Sequence, residues 1–225
     1  MIKIDQLKKC SLFQGVSDEE LEKICRQKPW KEAILSKVEA VFPFSELAQT
    51  MAIVLEGKVQ VRKILPNGNF VDVAIKMDGD TIGQAAVFSK QQVYPCQLVT
   101  LEETKLLLFE EMQMVKLLQE NTTILRNFLS EMATVTFELQ SRMELLSFSG
   151  IAQKIACYLL MHEQRCPGSP CPVPGSMTQW AGILNVSRTS LHREVKGLEK
   201  AGLIAVKDKK IHILNKKELR KRIER

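Results

Sequence analysis

The stretch that decides the fold is SMTQWAGILNVSRTSLHREVKGLEKAGLI, residues Ser176–Ile204. Ser176 is a typical N-cap, because its hydroxyl accepts hydrogen bonds from the free amides of a first helical turn, and an apolar face follows at helical spacing. Asn185 tolerates the left-handed geometry of a tight turn, and Ser187 caps a second helix. Gly202 is a typical stop for that helix. The stretch therefore predicts a helix-turn-helix.

The second predicted helix carries polar and basic side chains on its outer face. These residue types bond base edges and neutralise phosphates in a major groove. The predicted DNA-binding residues on this helix are Arg188, Thr189, Ser190, His192, Arg193 and Lys196. Two apolar runs, 203–206 and 211–214, then flank a basic tip, which predicts a β-hairpin wing. Lys209 in that tip is expected to contact phosphate.

The distribution of charge supports nucleic acid as the partner. Residues 150–225 carry 15 Lys or Arg and 6 Asp or Glu, a net charge of +9, whereas residues 1–149 carry a net charge of −3. Such asymmetry favours a polyanionic partner for the basic part. A basic run at the end of the chain is, by itself, more typical of a solvated helix. Together with the helix-turn-helix pattern it predicts binding to double-stranded DNA.

The 225-residue chain has the composition of a globular protein with one or two domains. The first residues, MIKIDQLKKC, carry charges where a signal peptide has an apolar core, so we expect a cytoplasmic protein with six reduced cysteines. The longest uncharged run, Cys166–Ser187, is interrupted by prolines and glycines, and we expect no membrane association.

The part of the chain before residue 110 alternates short apolar runs with turn signals. A capping box at Ser17–Glu20 predicts a helical lead. The predicted strands are Met51–Leu55, Val59–Ile64, Phe70–Ile75, Gln97–Leu101 and Lys105–Phe109, with glycine-rich turns between them. Evenly spaced short strands of this kind predict an antiparallel barrel or sandwich.

A long helix without Gly or Pro is predicted over Thr122–Leu146. Its apolar residues follow the 3–4 spacing of a coiled-coil seam, with Arg142 at one seam position: Leu125, Phe128, Met132, Val135, Leu139 and Leu146. We expect this helix to pair with a second copy, since dimers match palindromic half-sites. The alternative is that it packs on its own barrel. The expected segments are a sensing domain at 1–110, a dimerisation region at 111–148 and a DNA-binding domain at 149–225.

Four motifs together resemble the Crp/Fnr family of bacterial transcription regulators: SLFQGVSDEEL (11–21), MAIVLEGKVQV (51–61) with PNGN (66–69), DGDTIGQAAVF (78–88) and NVSRTSLHREVKGLEKAGLI (185–204). The resemblance implies an α+β fold, in which an N-terminal antiparallel β-barrel of the cupin or cyclic-nucleotide-binding type precedes a long dimerisation helix and a C-terminal winged helix-turn-helix. It implies a homodimer, a palindromic operator and RNA polymerase as partners, and a small-molecule effector. By position, Arg188 and Thr189 contact phosphate or base, and Arg193 is expected to bond guanine.

The chain departs from the residues that hold a cyclic nucleotide in this family. Gln84 follows Gly83 where the family has Glu, and Tyr94-Pro95 stands in place of an Arg-Ser pair. A buried phosphate without a cation costs several kcal/mol, so cyclic AMP is not expected to be the effector. The expected lining for another small effector, at the junction of barrel and long helix, is Gly83, Gln84, Ala85, Tyr94, Pro95 and Gln140. The alternative is a packed barrel without a ligand.

The cysteines raise a second hypothesis, a regulator switched by thiol oxidation. Cys166 and Cys171 lie five positions apart in a turn-rich loop, and Cys10 and Cys25 lie near the start. Two cysteines near the start are too few for the iron–sulfur cluster that some relatives hold, and the histidines all lie in the second half of the chain, which disfavours haem. No cofactor or metal is expected. We find no nucleophile–base set or phosphate loop, so we do not expect an enzyme.

Overall fold

A computed structural model of the chain describes Ile2, residues 4–42 and residues 44–223. The chain divides after Thr134 into two compact units, called here the N-terminal unit and the C-terminal unit. The expected boundaries at residues 110 and 148 divide the sensing, dimerisation and DNA-binding regions and do not coincide with the division between compact units. They stay predictions. Residues 224 and 225 of the expected DNA-binding domain lie outside the described residues.

The N-terminal unit begins with the predicted helical lead. It consists of α1 (Ile4–Lys8), a 3₁₀ turn at Ser11–Phe13 and α2 (Asp18–Gln27). The capping box is confirmed, because the Ser17 hydroxyl accepts from the amide of Glu20 and the Glu20 carboxylate accepts from the amide of Ser17 at 3.2 Å. Two free amides of the first turn are thereby satisfied, which is why α2 begins where it does.

In the described part of the N-terminal unit, eight strands form two four-stranded antiparallel sheets. Their bounds are β1 (Lys31–Leu35), β2 (Ala40–Phe42), β3 (Thr50–Glu56), β4 (Val59–Ile64), β5 (Phe70–Lys76), β6 (Thr81–Ile82), β7 (Gln97–Thr100) and β8 (Thr104–Glu110). The strand orders are β1-β8-β3-β6 and β2-β7-β4-β5. The predicted antiparallel β domain is confirmed, with the strands arranged as two sheets rather than as one closed barrel. Residues 51–55 of β3 are all buried, which explains the continuous apolar run in that strand.

The short helix α3 (Gln84–Val87) follows β6, and two further helices follow β8: α4 (Glu111–Glu120) and α5 (Thr122–Ser147). Asn121 lies between α4 and α5, and its side-chain oxygen accepts from the amide of Ile124 at 3.0 Å, which caps α5. The division between the two units falls within α5. The long helix is thus confirmed, one residue longer than predicted.

One position of the predicted dimer seam on α5 is corrected by the structure. Phe128 is only 7% exposed, and its ring packs edge-on against Phe88 with 5.2 Å between ring centroids. Leu129, the next residue, is 58% exposed instead. The apolar side chains of α5 that are most open to solvent at seam spacing are Leu125, Leu129, Leu139, Met143 and Leu146. One face of α5 therefore packs within the N-terminal unit, as the alternative held, while another stays uncovered.

The C-terminal unit has its own hydrophobic core, centred on Trp180 and Leu191. Its elements are the end of α5, α6 (Ile151–Arg165), β9 (Cys171–Pro172), α7 (Met177–Leu184), α8 (Arg188–Lys200), β10 (Ile204–Lys207), β11 (Lys210–Ile213) and α9 (Lys216–Lys221). The strands pair in the order β10-β11-β9. The predicted winged helix-turn-helix is confirmed, with one addition: part of the expected loop at 166–175 forms β9.

Candidate nucleic-acid interface and effector site

The turn between α7 and α8 is held from both sides. The Ser176 hydroxyl accepts from the amide of Gln179 at 3.2 Å and caps α7. At the other end of α7, Asn185 adopts φ 51°, the left-handed conformation expected from the sequence. The ammonium group of Lys154, a buried residue of α6, donates to the carbonyl of Leu184 at 3.1 Å. This bond satisfies a carbonyl that the end of a helix leaves without a partner, and it ties the turn to α6.

The orientation of α8 follows from its buried residues. Leu191, Val195 and Leu198 lie in the core of the C-terminal unit. Ser187 caps the helix by accepting from the amide of Ser190 at 3.1 Å. Because the apolar side is buried, the polar side of α8 is turned outward. This is the arrangement that a helix needs if it is to enter a DNA groove.

The structure divides the predicted DNA-binding residues of α8 into two groups. Arg188, His192 and Arg193 are exposed, and their side chains make no hydrogen bond or ion pair to any residue that the structure describes. Thr189 and Ser190 belong to the cap instead, because their hydroxyls lie 3.0 and 2.8 Å from the hydroxyl of Ser187. The exposed group, Arg188, His192 and Arg193, thus offers two guanidinium groups and an imidazole, which are groups that bond bases and phosphates.

Lys196, the remaining predicted residue of α8, is engaged in an ion pair that the sequence analysis missed. Its ammonium group lies 2.7 Å from the carboxylate of Glu199. Glu199 also accepts from the amide of Val206 at 3.0 Å, which joins α8 to the first strand of the wing. The hydrogen bond from Lys196, followed by that from Val206, holds the pKa of Glu199 below its ordinary value. Glu199 stands three positions after Lys196, which is the only signal of this pair in the sequence.

The wing is a tight hairpin with a basic tip. Strands β10 and β11 are joined by Asp208 and Lys209 alone, both with positive φ (49° and 58°). This is the geometry of a two-residue type I′ turn. The exposed side chain of Lys209 stands at the tip, between the exposed Lys207 and Lys210. The hairpin begins and ends within one residue of the predicted positions, and its tip presents three cations.

The predicted effector region has a close backbone approach at its centre. Gly83 adopts φ +83°, and a Cβ at this position would lie 2.9 Å from the ring of Phe42. The ring of Tyr94 stacks in parallel on the ring of Phe42, with 4.6 Å between the ring centroids. The hydroxyl of Tyr94 donates to the carbonyl of Thr50 at 2.5 Å. Gly83 and Tyr94 thus meet around Phe42, and the polar end of Tyr94 is occupied by backbone.

A polar cluster surrounds Gln84 and includes Glu131, which the sequence analysis missed. The buried side-chain amide of Gln84 donates to the hydroxyl of Thr81 at 2.8 Å and to the carboxylate of Glu131 at 3.2 Å. Thr81 also donates to that carboxylate oxygen. The second oxygen of Glu131, Oε2, is buried without a hydrogen-bond partner. The region therefore contains a carboxylate, contributed by α5, with one buried oxygen that lacks a hydrogen-bond partner.

The other predicted effector residues are less enclosed. Ala85 and Pro95 are exposed, as is Gln140, which lies on α5 in the C-terminal unit. Their roles stay predictions.

Comparison with protein families assigns both halves of the chain. Residues 35–121 match the cyclic nucleotide-binding domain, and residues 153–222 match the Crp-like helix-turn-helix domain. The order of these two domains is the one that the motifs implied. The chain belongs to the Crp/Fnr family.

Solved structures share this Crp/Fnr fold at low sequence identity. The catabolite activator protein of Thermus thermophilus is 19% identical, with 95% of this chain and 98% of that chain covered and a TM-score of 0.57. CprK complexed with OCPA is 16% identical, with 89% and 93% covered and a TM-score of 0.61. The c-di-GMP-responsive global regulator CLP of Xanthomonas campestris is 16% identical, with 86% and 99% covered and a TM-score of 0.51. A comparison with curated protein sequences finds no match.

Membership of the Crp/Fnr family and the winged fold make the chain a DNA-binding transcription regulator. Its family and its fold are those of regulators and not of enzymes. Crp-like regulators typically act as homodimers. Among the described residues, no helix has both the length and the apolar character needed to cross a membrane.

The cysteines of this Crp/Fnr regulator are free thiols, most of them at least half-buried. Burial raises the pKa of Cys10 to about 12 and those of Cys157 and Cys171 to about 11. Such thiols hold their protons at neutral pH and react slowly with oxidants. Cys166 is exposed, whereas Cys171 is buried in β9. In the part of the chain that the structure describes, no three His, Cys, Asp or Glu side chains are grouped to hold a metal ion.

Proposed function

We propose that this regulator binds a palindromic operator as a homodimer, with α8 of each copy in the major groove. The observation that carries the proposal is the outward face of α8, where Arg188, His192 and Arg193 are exposed and make no hydrogen bond or ion pair with the described residues. Arg193 is assigned to a guanine, because a guanidinium bonds guanine O6 and N7 in a bidentate way. Lys196 and Lys209 are assigned to phosphate, and Thr189 and Ser190 to positioning the start of the helix.

The uncovered apolar residues of α5 support the homodimer. Leu129 and Met143 are 58% and 72% exposed, and both fall on a repeat of four and three residues that also contains Leu125, Leu139 and Leu146. Large apolar side chains at this spacing are typical of a helix that pairs with a second helix. RNA polymerase is the further partner that membership of the family suggests.

We infer that the effector, bound around Gln84 and Tyr94, is not a cyclic nucleotide. The carboxylate of Glu131 accepts hydrogen bonds from Gln84 and Thr81, and its second oxygen is buried and unpaired. A phosphate placed there would meet a like charge, and burial would strengthen the repulsion. A neutral or cationic hydrogen-bond donor fits the unpaired oxygen better. A role for Gln140 in effector binding is proposed from its position in the sequence alone.

Operator selection from random DNA tests the proposed function. We expect the purified, reduced protein to select a palindrome with a guanine in each half-site, its recovery increased by a metabolite extract from cells. Selection of a palindrome to the same extent without the extract would argue against a diffusible effector. Sequences without two-fold symmetry would contradict the dimer.

Calorimetry with cyclic AMP tests the effector separately. We expect no saturable heat at concentrations well above those that saturate cyclic-AMP-dependent relatives. Tight binding of one cyclic AMP per chain would contradict the proposed effector class while leaving the DNA-binding assignment intact.

The thiol-switch alternative gains no support from the buried, high-pKa cysteines, and unchanged operator binding after mild oxidation is the expected result.

A further inference from the structure

A cavity of about 390 Å³ lies within the C-terminal unit, and none of the residues that line it is assigned above to DNA or to the effector. Its wall is formed by the end of α5, by α6 and by Ile183 of α7. Helices α5 and α6 are separated by the non-helical segment 148–150, which leads from the long helix toward the helix-turn-helix. The volume lies in the range of cavities that bind small organic molecules.

The charged residues of the cavity carry a net positive charge. They are Arg142 and Glu138 of α5 and Arg165 of α6. Arg142 has no hydrogen-bond or ion-pair partner among the described residues. Arg165 is partly fixed, because it donates to the hydroxyl of Ser141 at 3.3 Å and lies 5.3 Å from the ring centroid of Phe137. Two guanidiniums and one carboxylate leave a charge of +1, which a monoanion would neutralise.

The remaining wall is apolar and contains one unsatisfied polar atom. Leu145, Met161 and Ile183 supply aliphatic surface. The ring of Tyr158 lies in the wall, with 5.7 Å between its centroid and that of the Trp180 ring. Burial raises the pKa of the Tyr158 phenol to about 12, so the hydroxyl is a neutral hydrogen-bond donor. The Nε2 of His162, another wall residue, is buried without a partner. An unpaired buried polar atom is costly, and a ligand group or water beside it would remove that cost.

We propose that this cavity binds a small aromatic carboxylate. The carboxylate would pair with Arg142 and Arg165, since guanidinium groups match carboxylate geometry. The flat ring would lie on Leu145, Met161 and Ile183. A phosphate dianion fits less well, because it exceeds the charge of the lining and has no apolar body. The ligand would join α5 to α6 and α7 and so fix the end of the long helix against the helix-turn-helix.

Isothermal titration calorimetry on the full chain tests this site with 2-naphthoate and its neutral analogue 2-naphthamide. We expect one saturable site per chain for the acid and binding at least about tenfold weaker for the amide, because the amide cannot form the charged hydrogen bonds. Arg142→Gln and Arg165→Gln should each weaken 2-naphthoate binding by about tenfold or more. Both side chains are at the surface, so both variants should fold, which circular dichroism will verify.

Arg126→Gln is the matched control, because Arg126 is an exposed arginine of the same helix outside the cavity. It should leave the affinity for 2-naphthoate unchanged. The proposal is overturned by the absence of saturable binding, by equal affinity for acid and amide, or by binding that survives both arginine substitutions. None of these measurements involves DNA, so their failure would leave the proposed function standing.

Discussion

Among single side chains, Arg193 has the clearest expected effect on DNA recognition. It is exposed on α8 and makes no hydrogen bond or ion pair in the part of the chain that the structure describes, so we expect its removal to leave the fold unchanged. Loss of a bidentate contact to guanine costs about 1–3 kcal/mol of discrimination. We expect Arg193→Ala to abolish preference for the selected operator while weak, salt-sensitive binding to any DNA persists. Fluorescence anisotropy with the operator and a scrambled duplex measures both.

The control for this prediction is Arg26→Ala, an exposed arginine of α2 in the N-terminal unit. It should keep both the affinity and the preference of the wild type. If Arg193→Ala kept the operator preference as well, the proposed orientation of α8 on DNA would be incorrect.

Lys154 stabilises the helix-turn-helix by connecting α6 to the end of α7. Its buried ammonium group donates to the last carbonyl of α7. Lys154→Met keeps the length of the side chain but removes the donor, so the Leu184 carbonyl loses its charged partner. We expect the free energy of unfolding to fall by about 1–3 kcal/mol. Urea titration measures this change, and Lys217→Met, at an exposed lysine of α9, should stay within about 0.5 kcal/mol of the wild type.

At the scale of secondary-structure elements, the wing is attached to α8 through Glu199. Its carboxylate accepts from Lys196 and from the amide of Val206, and these bonds lower its pKa. We expect Glu199→Ala to reduce the free energy of unfolding by about 1–2 kcal/mol at neutral pH, because both hydrogen bonds are lost.

The pH dependence of the same variant follows from the direction of the pKa shift. A carboxylate with a lowered pKa stabilises the folded state above its ordinary pKa of 4.5, and this contribution is lost as the pH falls through the folded-state value. The difference between wild type and Glu199→Ala should therefore shrink on acidification. Glu194→Ala, on the same helix but without such bonds, should show no comparable pH-dependent difference from the wild type. A constant difference for Glu199→Ala would contradict the role of its charge.

At the scale of the whole molecule, the exposed face of α5 predicts association between two chains. Leu129→Glu places a charge in the proposed seam, where it would be desolvated without a partner. We expect this variant to sediment as a monomer and to lose operator affinity, because one half-site alone provides only part of the contacts. Sedimentation velocity on the wild type and the variant measures the change.

Ser130→Glu is the control for the seam, since Ser130 is exposed on another side of the same helix. It should remain a dimer. A wild-type chain that sediments as a monomer at micromolar concentration, or a Leu129→Glu variant that stays dimeric, would contradict the proposed interface.

Local signals in the sequence determined the winged helix-turn-helix. The caps at Ser176 and Ser187 and the left-handed turn at Asn185 were all predicted and found, as was the cap at Ser17 in the N-terminal unit. Each depends on hydrogen bonds within about four residues, so a short stretch contains all the partners. The outward positions of Arg188 and Arg193 followed from helical periodicity once the buried residues of α8 were identified. The strands with runs of β-branched residues were predicted because these runs, bounded by turn residues, are also local patterns.

Only the tertiary structure decided which of several chemically similar residues face a partner. Phe128 and Leu129 are both apolar, and contact with Phe88 selects the first for the core. Strand β1, KEAIL, has no strong preference for a strand and forms one by pairing with β8. Glu131 reaches Gln84 from 47 positions along the chain. Contacts between distant segments leave no local pattern, because each depends on how the whole chain packs, so the sequence alone determined most of the helices and strands and their order, while packing decided strand β1, the polar interior of the effector region and the free face of α5.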